Sequence, residues 1–409
     1  MVQKRNNATL LVWGVFVLYL VLTFTKLNFA AAIPFLVKES IFSKTHSGII
    51  NGAFYLVYGS TQIFAAKLID RTSPAKIEMI SLCGSLVCNL ALCLSTNFVW
   101  VLIFWCINGF FLSFAWPGAV KTVTDYLPDD KKQMGSSMLT VSMAFGGITS
   151  YLVVAKLLET FGWSSVFAMN CVITVITTFL WMFVTKANDG LPRRAVVQKE
   201  KTLPNSSTKL LPLILSSGAG FIFVCAFVRA ALDNGLKAWI PSMMLESYNL
   251  STVFAGLLTA IVYICNIFGT FVLIPLYAKS KNEAGIQISM LCLSLPFVVL
   301  MLKIGAIPQM LAVVSFVVIT SITFSLNNIG IRVSSKFAGF GESCSGAVAS
   351  IMNGFASFGV LVASVLFGYL AENFGWRAVI ISCILMLGLS IAVLIPAYFM
   401  WRKFLKQIK

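Results

Sequence analysis

Leu158-Glu159-Thr160-Phe161-Gly162-Trp163 returns later in the chain as Ala371-Glu372-Asn373-Phe374-Gly375-Trp376. Both copies keep the acid and the Phe-Gly-Trp run. Each sits between two long apolar stretches, the first of them rich in small residues. The same punctuation at two such places marks an internal duplication, in which like-folded halves are built from one ancestral unit. A second correspondence agrees: Lys26 lies eight residues before Pro34, and Asp233 eight residues before Pro241.

Working outward from the echo, the apolar stretches number twelve: 9–37, 47–69, 75–96, 98–125, 135–158, 163–186, 210–239, 252–278, 284–303, 309–331, 346–370 and 377–400. About 20 apolar residues cross a bilayer as a helix. With 58% hydrophobic and 11% charged residues in 409, and a mean hydropathy of +0.90, a water-soluble globule would have too little polar surface. The runs are continuous rather than alternating, which excludes a transmembrane β-barrel. The first run is too long for a cleaved signal and no small-residue cleavage site follows it. The expected fold is an all-α membrane protein of twelve transmembrane helices in two pseudo-symmetric six-helix domains. The polar stretch from Lys186 to Lys209, with its Pro, Ser and charges, divides them. It sets a first domain at 1–186, a cytoplasmic linker at 187–209 and a second domain at 210–409.

The formal charge of +16 is distributed for topology and not for nucleic acid. Lys4, Arg5, Arg71, Lys76, Lys131, Lys132, the basic linker, Lys279, Lys281, Arg332, Lys336 and the tail from Arg402 share one side. Only Lys38, Lys44, Lys156, Lys237, Lys303 and Arg377 fall on the other. By the positive-inside rule both termini are cytoplasmic. The compact loops point to a multi-pass protein of a bacterial inner (plasma) membrane, a monomer whose basic face meets anionic lipid. Nearly all ten cysteines lie in apolar spans, where a free thiol is a small hydrophobe. No C-x-x-C pair exists and His46 is the single histidine. No metal site, cofactor or catalytic cluster is expected, so the chain does not read as an enzyme.

Charge inside the spans is the pointer to function. Lys26 lies in 9–37 and Arg229 in 210–239. A charge at mid-membrane costs about 2.5–3.5 kcal/mol on insertion scales, and by default it marks a substrate or ion path. Arg229 and Asp233 are four apart and share a helix face. Lys26 holds the corresponding place in the first half. The three sum to one positive charge, which suits a monoanion such as a carboxylate bound near the midplane between the repeats. Asp233 is the expected proton site. Asn28, Tyr55, Tyr58, Gln62, Trp116, Asn266 and Asn353 are candidates to complete the pocket. Gly146-Gly147 in the fifth span, and Gly346, Ala349, Gly354, Ser357, Gly359 and Ala363 in the eleventh, are expected to let helices approach closely.

The loop Ala66-Lys67-Leu68-Ile69-Asp70-Arg71-Thr72-Ser73-Pro74-Ala75-Lys76 resembles the G-x-x-x-D-R-x-x-x-[RK] signature of the major facilitator superfamily, with Ala66 in place of the glycine. The resemblance, with the 6+6 arrangement, covers the whole chain. It implies alternating access, with Asp70 and Arg71 closing a cytoplasmic gate and Asp125 available to Arg71. Within that superfamily, Lys26-Leu27-Asn28-Phe29-Ala30-Ala31-Ala32-Ile33-Pro34 is similar to the Arg-x-Asn-Phe-Ala-x-Ala-x-Pro segment of organophosphate:phosphate antiporters, with the anion:cation symporters next. Tyr58-Gly59 with Gln62, and Trp116-Pro117 with Lys121, resemble their second and fourth spans. The antiporters' arginine contacts substrate phosphate; lysine stands there in this chain. Their second binding arginine is replaced by Asp233, before Gly235 and Trp239-Ile240-Pro241, with Arg229 one turn earlier. Gln62 replaces a lysine and Met143 a histidine.

The expected function is therefore secondary active transport of a small organic anion (carboxylate, sugar acid or phosphorylated metabolite), coupled to a proton or counter-anion. The alternatives are a multidrug–proton antiporter of the same fold and a transporter-like membrane sensor. No Walker-type glycine loop is present to drive transport with ATP.

Overall fold

A computed structural model describes residues 2–188, 210–279, 282–337, 340 and 342–407, with side chains described except at 2–6, 63–71, 210, 270–279, 328, 331 and 342–347. No strand occurs among these residues. A backbone in hydrocarbon must satisfy its own amides and carbonyls, and helices do so within one segment. The helices are α1 (Val2–Lys38), α2 (Lys44–Arg71), α3 (Pro74–Cys93), α4 (Phe98–Leu112), α5 (Ala115–Tyr126), α6 (Asp129–Phe161), α7 (Trp163–Ala187) and α8 (Leu210–Ser217). After them come α9 (Ala219–Ala230), a π-turn (Ala231–Gly235), α10 (Leu236–Tyr248), α11 (Thr252–Lys279) and α12 (Glu283–Leu300). The last four are α13 (Gln309–Ser325), α14 (Asn327–Ser335), α15 (Glu342–Asn373) and α16 (Trp376–Gln407).

Ten of the helical segments are long and apolar enough to cross a membrane, and α13 is a shorter apolar helix. Each of the twelve expected spans is helical; the fourth is α4 continued by α5, and the tenth α13 continued by α14.

The boundaries follow local chemistry. Ser73 caps α3 by accepting from the Lys76 amide, with Pro74 at the first helical position, where its missing N–H is no loss. Asn97 caps α4, accepting from Val99 and Trp100. The echo acquires its physical reason here. Gly162 (φ 74°) and Gly375 (φ 77°) both occupy the left-handed region that ends one helix and lets the next begin at tryptophan, and a Cβ on either would meet nothing within 4 Å. It is backbone conformation that requires glycine at both. The tryptophans then anchor differently. Trp163 donates to the Leu92 carbonyl at 2.8 Å, and Trp376 to Glu246 Oε2 at 2.9 Å.

The helices form two compact units. One gathers α1, α2 from Ala53, α3–α7 and Thr252–Tyr263 of α11. The other gathers Ser43–Gly52 of α2, α8–α10, α11 from Ile264, and α12–α16. In the first unit α1 packs on α6 and α7, and α3 on α4, α5 and α7. A polar chain runs through its interior: the Thr25 hydroxyl donates to Asn170 (2.8 Å), Asn170 to Asn89 (2.7 Å), Asn89 to the Ser85 carbonyl (2.7 Å), and the Ser85 hydroxyl to Asn108 (2.7 Å). Such bonds hold membrane helices together where hydrophobicity cannot.

In the second unit α15 packs on α9 and the π-turn. Its small residues allow this, since a Cβ on Gly359 would stand 2.1 Å from the Phe227 carbonyl oxygen. The first turns of α2 join this unit by the same device, because a Cβ on Gly48 would stand 2.4 Å from the Ser364 carbonyl oxygen. Asn51 donates to the Ser364 hydroxyl at 2.9 Å, Lys44 pairs with Glu246 at 2.7 Å, and the Thr45 amide donates to Glu372 at 2.7 Å.

Candidate functional site

Lys26 stands in α1 where a charge needs compensation. The compensation is aromatic: its Nζ lies 4.1 Å from the Tyr58 ring centroid and 5.3 Å from that of Tyr55. The two tyrosines are three apart on α2, so they share a face. Tyr58 stacks on Phe54 (5.8 Å between centroids) and Phe54 on Trp105 (5.0 Å), so the platform is backed by packed rings. Gln62, one turn further, hydrogen-bonds the Tyr58 side chain. A partly desolvated cation–π contact contributes about 0.5–2 kcal/mol and cancels none of the formal charge. Among the described residues no carboxylate pairs with Lys26.

Tyr19, two turns before Lys26 and thus on the same face of α1, touches Trp116 of α5 with ring centroids 5.3 Å apart. The first unit therefore brings Lys26, Tyr55, Tyr58 and Gln62 together, with Trp116 joined through Tyr19. Sequence reading missed Tyr19, although its seven-residue spacing from Lys26 was there to be used. Asn28 does not join them. It follows Lys26 by two residues, roughly 200° around the helix, and is fully buried with neither amide atom hydrogen-bonded.

In the second unit the helix is interrupted twice, once before its charges and once among them. Gly218 (φ 80°) separates α8 from α9, and the π-turn Ala231–Gly235 interrupts the helix at Asp233. Single π-turns are rare and concentrate at functional sites. Arg229 Nη1 lies 4.0 Å from Asp233 Oδ2, and on the other side the Lys237 ammonium pairs directly with Asp233 Oδ1. Lys237 also lies over the Phe324 ring, 5.1 Å from its centroid.

This corrects the placement of Lys237 outside the membrane. It is 2% exposed, because the helix continues to Tyr248 and does not end near Trp239. The charge of the cluster changes with it: two cations around one acid leave one net positive charge among Arg229, Asp233 and Lys237. The i, i+4 spacing of Asp233 and Lys237 was legible; the span boundary concealed it.

Asn266 accepts from the Thr320 and Ser321 hydroxyls at 3.0 and 2.9 Å, tying α11 to α13. Asn353 lies on an exposed face of α15. Asp125, expected to meet Arg71, accepts from the Thr124 hydroxyl at 2.9 Å. The gate residues Asp70 and Arg71 fall in the last turn of α2, outside the residues whose side chains are described.

Helices long enough to span a membrane, with charged groups buried inside both units, define a multi-pass membrane transporter. Residues 15–339 match the family model of the Major Facilitator Superfamily, and the chain belongs to that superfamily. It is similar to a probable hexose phosphate transport protein of Chlamydia trachomatis, 22% identical over 94% of this chain and 90% of the relative. It is also similar to the glycerol-3-phosphate transporter of Bacillus subtilis, 27% identical over 58% of this chain and 57% of the relative. Its fold matches the crystal structure of a bacterial homologue of the human lysosomal transporter Spinster, with a TM-score of 0.76 at 14% identity, covering 97% of this chain and 98% of that one.

Proposed function

We propose that this chain is a secondary active transporter of a small phosphorylated organic anion, working by alternating access with a proton or counter-anion as the coupled species. The observation that carries the proposal is Lys26, an intramembrane ammonium resting on two tyrosine faces and, among the described residues, paired with no carboxylate. A site built this way is completed by an anion. Arg229 and Lys237 supply further positive charge, in excess over Asp233 by one. The names of the similar proteins favour a phosphomonoester over the carboxylate monoanion that the sequence suggested.

In this reading Lys26 contacts the phosphoryl group while Tyr58 and Gln62 hold Lys26 in place. Asp233 keeps Arg229 and Lys237 apart and soluble in the helix interior. The Asp70–Arg71 gate closes on the cytoplasmic side, and the protein works as a monomer in a bacterial inner membrane with both termini cytoplasmic. A multidrug–proton antiporter for cations is disfavoured, because the charges in the first spans of the two halves are mainly basic: Lys26 in one, and Arg229 and Lys237 around Asp233 in the other.

Exchange in proteoliposomes tests the substrate class. Vesicles loaded with unlabelled glycerol 3-phosphate or glucose 6-phosphate should accumulate the labelled compound, with competition by other phosphomonoesters and none by glycerol or glucose. Exchange of carboxylates alone would exclude the phosphorylated class.

A further inference from the structure

Glu78, an acid that plays no part in the reading above, lies at the heart of the first unit. It sits four residues into α3, is 0% exposed, and has no hydrogen-bond partner on either carboxyl oxygen. Among the described residues no cation pairs with it. Its Oε1 lies against Gly118 of α5, where a Cβ would come within 2.4 Å, so the glycine makes the room the carboxyl occupies.

The helices packed on α3 are α4, α5 and α7. Their titratable or charged side chains are Cys106 on α4, Lys121, Asp125 and Tyr126 on α5, and Cys171 and Lys186 on α7. Lys76 and three cysteines share α3 itself; on α2, the side chains of Lys67, Asp70 and Arg71 lie outside those described. The group that does face Glu78 electrostatically is Tyr19 of α1. Tyr19 also feels Tyr58, and Tyr58 carries Lys26. A line of polar groups thus leads from the buried acid to the unpaired ammonium.

The second half provides an internal control. Its third span, α12, opens with Glu283, also buried at 2% exposure. Glu283 accepts the Trp401 indole N–H at 2.7 Å and has Arg332 Nε at 3.9 Å. The chain shows there how it treats a buried acid of structural purpose: it gives it a donor and a cation. Glu78 has neither. An ionised carboxylate without donor or cation is among the costliest groups to bury, and taking up a proton removes that cost. Asp233 is placed differently, between the two cations Arg229 and Lys237.

We propose that Glu78 is the proton-coupling residue of this transporter. Its carboxylate takes a proton from water at one membrane face, forming an O–H bond. The bond breaks, and the proton returns to water, when the carrier exposes the site to the other face. The inference rests on the reading of the chain as a secondary transporter, and two arms of one experiment separate them.

In the first arm, infrared difference spectra of the purified full chain are recorded across a pH titration for wild type, E78Q and E283Q, with thermal unfolding as the folding control. A protonated-carboxyl C=O band that titrates in wild type and E283Q but is missing from folded E78Q is the expected result. A band identical in E78Q, or one that never titrates, overturns the proposal; E78D, which should keep a titrating band, replaces E78Q if that variant does not fold.

In the second arm, proteoliposomes are given glycerol 3-phosphate with and without an imposed pH gradient. E78Q should keep counterflow exchange and lose gradient-driven accumulation. Accumulation that persists in E78Q overturns the assignment. If wild type moves no phosphomonoester, the transport reading fails while the titration still decides Glu78.

Discussion

The first span and its counterpart in the second half solve the same electrostatic problem in different ways. In the first, α1 runs unbroken from Val2 to Lys38 with Pro34 inside it, and Lys26, the cation of its apolar run, rests on tyrosine rings. In the second, the chain is broken at Gly218 and loosened into a π-turn at Ala231–Gly235, and its cations bracket an acid. Duplication preserved the position of charge relative to proline and let its compensation diverge. One region rests its positive charge on aromatic rings. The other is largely satisfied within itself, and the helix irregularity sets its charges around Asp233.

Three sets of substitutions would break or sharpen this comparison. The largest effect is expected for Asp233→Asn, which leaves Lys237 and Arg229 buried without their acid. Removing one partner of a buried pair costs about 3–5 kcal/mol, so the detergent-solubilised variant should unfold at markedly lower temperature. Asp233→Asn with Lys237→Met should recover most of the loss. If the double variant is no better than the single one, the cluster is not a coupled unit.

Lys26→Ala should act in the opposite sense. Because no acid is orphaned, thermal stability should hold or rise, while substrate binding loses a charge-assisted contact of about 1.5–3 kcal/mol. That corresponds to roughly 10- to 100-fold weaker apparent affinity in exchange. A large stability loss with unchanged affinity would make Lys26 a structural residue.

The smallest effect concerns the echo. Gly162→Ala and Gly375→Ala each force an L-residue to a positive φ, at about 1–3 kcal/mol. The two costs should be equal within error, because neither site has a neighbour within 4 Å. Unequal unfolding shifts would mean that the repeated turns are not equivalent.

Much of the architecture was readable because membrane physics writes itself in one dimension. A helix that must cross hydrocarbon is a long apolar run, and a left-handed helix end is a glycine before Trp163 or Trp376. Lys26 and Arg229 were found for the same reason, as charges where lipid tolerates none. The errors came where two or three residues along the chain decide which way a side chain points. Lys237 was placed outside because the span was ended near Trp239, although the helix carries on through Pro241 to Tyr248. Asn28 was a candidate because it matches the Asn of the resembled antiporter segment, whereas the helix turns it to a different face from Lys26. Asn266 looked like a pocket residue, but its carbonyl is taken by Thr320 and Ser321. Glu78 drew no attention, since an acid one turn into a span, close to Lys76, reads as a residue of the membrane surface.

By itself the sequence determined that this chain lives in a bilayer, that its fold is duplicated, and that cations lie in corresponding spans. These are properties of local composition and spacing, and lipid imposes them on every segment separately. Only the tertiary structure decided which charges are answered and by what. It put two tyrosine rings under Lys26, two cations around Asp233, a tryptophan and an arginine on Glu283, and, among the described residues, neither a donor nor a cation on Glu78. Whether a buried charge has a partner depends on residues brought together from distant helices, and pairing of that kind leaves no periodic trace along the chain.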